Sequence, residues 1–226
     1  MATFALVGST GLVGSHVLTT LSNSSSVGTI HAFSRKELLS NPKVKPIVSS
    51  ESALWPAQFP TGIEVFISAL GTTRARAGGF DHQRKIDYDF NLDLAKAAKA
   101  AGTKSYVLIS TQGADSSSRF GYPQMKGQLE DAVKALNFDH TVLVRPGLLV
   151  GERTESATAE YVLRRLAGLM GSLSNRLKDP WAQDADVVAK AAVQAGLDCV
   201  EGREKEKVRV LGMSDIVRLG RTEWKE

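Results

Sequence analysis

Thr3-Phe4-Ala5-Leu6-Val7, followed by Gly8-Ser9-Thr10-Gly11-Leu12-Val13-Gly14 and a helical stretch to about Leu21, decides the fold. Thr3–Val7 reads as a short buried strand. Gly8, Gly11 and Gly14 stand between that strand and the start of a helix. Glycine permits a tight turn and lets a phosphate approach the backbone closely. The helix N-terminus offers unpaired N–H groups and the positive end of its dipole to that phosphate. The spacing G-x-x-G-x-x-G departs from the commonest dinucleotide fingerprint, G-x-G-x-x-G. The reading therefore rests on where the glycines stand.

Working outward, strands and helices alternate. Asn23–Ser26 is a polar loop, Thr29–Phe33 a second strand and Val44–Val48 a weak third. Val65–Leu70 reads as a strand buried on both faces. Phe80–Ala101 has apolar and alanine positions at helical spacing and stops at Gly102. Tyr106–Ile109 is the fifth strand, Lys126–Leu136 an amphipathic helix and Thr141–Val144 the sixth strand, closed by Arg145-Pro146-Gly147. Asp184–Ala195 reads as a helix and Val208–Leu211 as a last strand. Alternation of this kind implies a parallel sheet covered on both faces. The expectation is a Rossmann-type, doubly wound α/β fold over residues 1–226, with about 151–226 forming a small C-terminal lobe.

Bulk properties set bounds. The 226 residues suit one large domain, and 42% hydrophobic residues allow a sizeable core. The net charge of +4 is spread without a basic stripe, which argues against nucleic acid. One cysteine, Cys199, rules out a disulfide framework and fits a reducing compartment. His16, His31, His82 and His140 show no metal-ligand spacing, so no metal is expected. No run approaches the length of a membrane span, and the N-terminus has no signal or transit pattern.

Two further stretches carry chemistry. The second strand ends in Ser34-Arg35-Lys36, with no acid before Glu37. An acid here would bind the free 2′-hydroxyl of an adenosine ribose, whereas a guanidinium matches a 2′-phosphate. The cofactor read from this position is NADP(H). Tyr122-Pro123-Gln124-Met125-Lys126 places a phenol and an ammonium four residues apart, on one helix face. The cation favours the ionised form of a phenol whose free pKa is about 10, which makes it an acid or base near neutrality. Ser110 and Thr111 end the preceding strand, where open α/β sheets bind ligands.

Together these residues resemble the short-chain dehydrogenase/reductase superfamily. Gly71-Thr72-Thr73-Arg74, Ala77-Gly78-Gly79, Ser110-Thr111-Gln112-Gly113-Ala114, Phe120-Gly121-Tyr122 and Val144-Arg145-Pro146-Gly147 resemble its atypical branch containing the human Tat-interactive protein. Gly151-Glu152-Arg153-Thr154 is most similar to the fungal group of that branch named for being found in the mitochondrial proteome. The resemblance implies that Thr10, Gly11, Leu12 and Val13 hold the pyrophosphate. It places Leu70 and Gly71, with Thr72 beside them, along the adenosine. Tyr122 and Lys126 meet the nicotinamide ribose, and Pro146 and Leu149 the nicotinamide side. It makes Tyr122 the proton donor and gives the carbonyl-orienting hydroxyl to Thr111, with Ser110 as the alternative. An asparagine common in the superfamily is replaced by Asp87, and Asn91 lies one turn later on the same face.

The expected function is an NADP(H)-dependent oxidoreductase acting on a small carbonyl or alcohol. Intact Tyr122 and Lys126 favour it. Asp87 and the short C-terminal lobe favour a non-catalytic, NADPH-bound regulator or sensor, and transient use of the cofactor in an isomerase or epimerase is a third option. The resemblance implies a mitochondrial location, peripheral at the outer membrane surface. Tyr161–Leu173, apolar with Arg164 and Arg165, reads either as a membrane or partner contact or as a helix covering the sheet's open end. Trp55, Trp181 and Trp224 are open to core or lid roles, and Arg74 and Arg76 to a phosphate-touching or a plain loop.

Overall fold

The computed structural model describes residues 1–150, 179 and 181–225. In chain order the strands are β1 (Ala2–Val7), β2 (Val27–Ser34), β3 (Val44–Val48), β4 (Val65–Ser68), β5 (Ser105–Ile109), β6 (His140–Val144), β7 (Leu148–Val150), β8 (Ala182–Asp184) and β9 (Val208–Leu211). The helices are α1 (Leu12–Asn23), α2 (Arg74–Ala77), α3 (Phe80–Arg84), α4 (Asn91–Ala100), α5 (Gly121–Ala135), α6 (Ala185–Val200) and α7 (Met213–Val217). Seven strands form one parallel sheet in the order β3-β2-β1-β4-β5-β6-β9, and β7 pairs with β8 beside it. This is the doubly wound arrangement expected from the alternation. The winding reverses between β1 and β4, and that reversal opens a crevice at their C-terminal ends.

Side chains alternate across the sheet because the strand period is two. Phe4, Leu6, Ile67, Val107 and Val142 pack into one apolar cluster with α1 and α6. Ala5, Val7, Phe66, Tyr106 and Leu143 pack into the other with α4 and α5. Trp55 joins this second layer at 5% exposure, which settles it as a core residue. From residue 181 onward, α6 covers the first face and β9 extends the main sheet. The Gly151-Glu152-Arg153-Thr154 motif and Tyr161–Leu173 lie outside the described residues.

Three of the boundaries that differ from the sequence expectation lie beside the β-strand ends. The strand expected over Val65–Leu70 ends at Ser68. The helix expected over Phe80–Ala101 is broken by a π-helical turn, Lys85–Phe90, between α3 and α4. The helix expected from Lys126 starts at Gly121, so Pro123 falls in its first turn. A missing N–H costs nothing there, and the first helical bond runs from Gln124 N–H to Phe120 O at 3.0 Å. At the sheet edge, Ser49 of the strand leaving β3 donates its N–H to Ser34 O at 3.1 Å. Pro46 has the opposite parity, so its nitrogen faces away from β2.

Candidate functional site

The site grows from the turn after β1. Gly8 has φ +82°, and a β-carbon there would lie 2.5 Å from Ala69 O. One on Gly14 would lie 2.0 Å from Gly8 O, so only glycine lets α1 sit on the turn. Ser9 Oγ donates to Phe33 O at 2.9 Å and ties the turn to the end of β2. The first turn of α1 has neither a capping side chain nor an acid. Its leading N–H groups, at Leu12 and Val13, are therefore left for a ligand.

A cleft of about 790 Å³ opens at this point. It is lined by Gly11–Val13, Leu70–Arg74, Ile109–Thr111, Tyr122 with Lys126, and Pro146–Leu149. Twelve of the residues singled out in the sequence meet here: Gly11, Leu12, Val13, Leu70, Gly71, Thr72, Ser110, Thr111, Tyr122, Lys126, Pro146 and Leu149. Gly8 and Gly14 shape the turn behind the wall, and Thr10 is exposed beside it. Arg35 and Lys36 are exposed just past β2, outside the cleft lining. Ser34 is buried, and its Oγ accepts the Lys36 N–H at 3.2 Å.

The polar residues of the cleft form a connected group. Lys126 is 3% exposed, and its Nζ donates to Ile109 O at 3.1 Å. Burial holds this amine below its ordinary pKa, against the attraction of Asp87 and Glu130. Asp87 projects from the π-helical turn and accepts the Thr72 N–H at 2.7 Å and the Gln83 amide at 3.4 Å. Burial raises its carboxyl above the usual range, opposed first by Lys126 and then by those two donors. Glu130 is 1% exposed and accepts from Ser110 Oγ at 2.5 Å and from Arg145 Nε at 3.0 Å, with Arg145 Nη2 on its other oxygen. The Ser110 proton is thereby committed to Glu130. Among the described residues, Thr111 Oγ1 has only a long bond, 3.4 Å, to Gln112 O. Tyr122, 41% exposed, stands one helical turn before Lys126.

Asn91 does not reach the cleft. It is fully buried under β4, where its Oδ1 accepts from Ser68 Oγ at 2.8 Å and from Tyr106 Oη at 3.2 Å. The sequence reading missed Ser9, Phe80, Gln83 and the Glu130–Arg145 pair. Glu130 carried a signal, because it lies four residues after Lys126 and beside Leu129 on the buried stripe of α5.

The HIM1 family model matches residues 33–174. A relative from Aspergillus niger, "Protein fmp52, mitochondrial", is 50% identical over 233 residues, covering 98% of this chain and 99% of its own. The chain belongs to the HIM1 family. Its HIM1-family fold is also that of solved short-chain dehydrogenases. MoeE5 in complex with UDP-glucose and NAD superposes with a TM-score of 0.69 at 14% identity, covering 98% of this chain and 81% of that one. A short-chain dehydrogenase/reductase from Saccharomyces cerevisiae gives 0.67 at 13% identity, covering 97% and 99%. No helix among the described residues is long and apolar enough to cross a membrane.

Proposed function

We propose that this HIM1-family chain binds NADP(H) in the cleft and interconverts a carbonyl and an alcohol. One observation carries the reading: Tyr122 and Lys126 line the same cleft as the uncapped start of α1. The residues present fit the cofactor. The α1 amides and Gly11 would hold a pyrophosphate, Lys126 would bind the ribose, and Arg35 and Lys36 would take the 2′-phosphate. Bound there, the cofactor supplies or accepts the hydride. With the cofactor bound, Tyr122 would give its hydroxyl proton to the substrate oxygen, and Lys126 would stabilise the phenolate left behind. Thr111 orients the carbonyl, since the Ser110 proton is held by Glu130.

The same bond favours a second reading. With one cleft hydroxyl withdrawn and Asp87 in the wall, the chain serves as an NADPH-bound regulator without turnover. Fluorescence titration with NADPH and NADH, followed by a carbonyl screen with wild type and Tyr122→Phe, separates the readings. Turnover that Tyr122→Phe abolishes supports the enzyme. NADPH binding without any such turnover supports the regulator. NADH binding as tightly as NADPH refutes the role of Arg35 and Lys36. The relatives are named mitochondrial, and the finer proposal is a peripheral position at the outer mitochondrial surface. Release by alkaline carbonate and sensitivity to added protease in intact organelles test that placement.

A further inference from the structure

The charged residues lining the cleft are Arg74, Asp87 and Lys126. Two of them balance: Lys126 is buried between the attractions of Asp87 and Glu130. Arg74 is exposed at the mouth, and no carboxylate among the described residues pairs with it. Its backbone is held firmly. Thr73 caps α2 by accepting the Arg76 N–H at 3.3 Å, and Gly79 N–H donates back to Arg74 O at 3.0 Å. The short helix packs on α3, which begins with Phe80. The Phe80 ring lies so close to Gly121 that a β-carbon there would be 3.0 Å from its Cζ. Tyr122 is the next residue. Through α3 and Phe80 the backbone of Arg74 is thus linked to the segment that carries Tyr122, while the uncapped amides lie at the start of α1. Phe80 supplies apolar wall at the Tyr122 end, and Leu148 also lines the cleft.

We infer that the cleft takes a substrate carrying an anionic group, carboxylate or phosphate, which Arg74 binds while the reacting carbon faces Tyr122. The guanidinium fork matches either anion in a bidentate pair. This inference rests on the proposed reaction for the second half of that statement alone; anion capture by Arg74 stands independently of it.

The test uses para-carboxybenzaldehyde, its neutral para-carboxamide analogue and a para-phosphate analogue, titrated by calorimetry onto the full chain with and without NADPH. The expected result is at least about tenfold tighter binding of one anionic probe than of the amide, lost in Arg74→Gln with the NADPH affinity unchanged. The carboxylate and phosphate arms identify which anion is preferred. With turnover, the loss falls on KM for the anionic aldehyde and leaves the amide's KM unmoved. Equal binding of all three probes overturns the inference. So does an Arg74→Gln variant that loses NADPH affinity in step with the probe, which makes Arg74 a cofactor contact. If NADPH itself fails to bind, the reaction proposed above falls, and the titrations without cofactor still decide the role of Arg74.

Discussion

Replacing Glu130 by glutamine probes the polar group beneath the cleft. Three donors enter this carboxylate: Ser110 Oγ at 2.5 Å, Arg145 Nε at 3.0 Å, and Arg145 Nη2. Glutamine keeps the shape but turns one oxygen into an NH2 group, which faces a donor. It also leaves the guanidinium without its anion. Breaking a buried pair from one side costs about 3–5 kcal/mol. The Arg145 side chain is 27% exposed and regains some hydration, so the cost falls at or somewhat below the bottom of that range. A loss of about 2–3 kcal/mol lowers Tm by roughly 5–10 °C for a chain of this size. Urea and thermal unfolding followed by circular dichroism measure both figures. Arg145→Met should cost a similar amount, and the double variant less than the sum of the two singles. A Glu130→Gln variant within about 0.5 kcal/mol of wild type, or strict additivity in the cycle, refutes the reasoning.

Gly14→Ala forces a β-carbon to within 2.0 Å of Gly8 O, so α1 must lift off the turn; we expect a loss of about 3 kcal/mol and of NADPH binding, and retained titration at wild-type affinity would contradict it. Burial raises the Asp87 pKa above the ordinary carboxylate value of 3.8. This carboxyl therefore favours the fold most below pH 3.8 and loses that contribution as pH rises through its raised value. The stability of wild type relative to Asp87→Asn should fall across that interval, and a pH-independent difference in urea midpoints would count against it. The Cys199 thiol is buried and its pKa is pushed up to about 12, first by burial and then by Glu204. Ellman's reagent at pH near 8 should label it only on unfolding; rapid labelling of the native chain would show that the helix α6 face opens.

The fold was legible because its signals are local. Glycines placed between a strand and a helix start, and apolar strands at regular intervals, need no long-range knowledge. Much of the cleft wall followed, since strand ends converge at the reversal between β1 and β4. What escaped depends on the third dimension. Ser9 reaches Phe33 across 24 residues, and Phe80 meets Gly121 across a longer gap. Nothing in their sequence neighbourhoods marks either contact. The break at Lys85–Phe90 was hidden because a π turn keeps the composition of a helix while changing its phase. Asn91 shows the limit of spacing: it shares the face of Asp87, bonding Ser68 and Leu70 O while Asp87 bonds Thr72, but its depth beneath β4 is set by the fold. The start of α5 was missed for another reason. The amphipathic stripe becomes periodic only from Lys126, whereas Pro123 falls in the first turn, where proline is well tolerated.

Pro46 has a consequence at the scale of many molecules. A parallel sheet exposes a row of N–H and C=O groups along each outer strand, and such rows invite pairing between copies. On β3 the row lacks the donor at Pro46, and Lys45 stands beside it in the same strand. A strand arriving from a second copy would lose a ladder bond at the middle of the flank. Growth of stacked sheets into aggregates is thereby discouraged on that side even at high concentration.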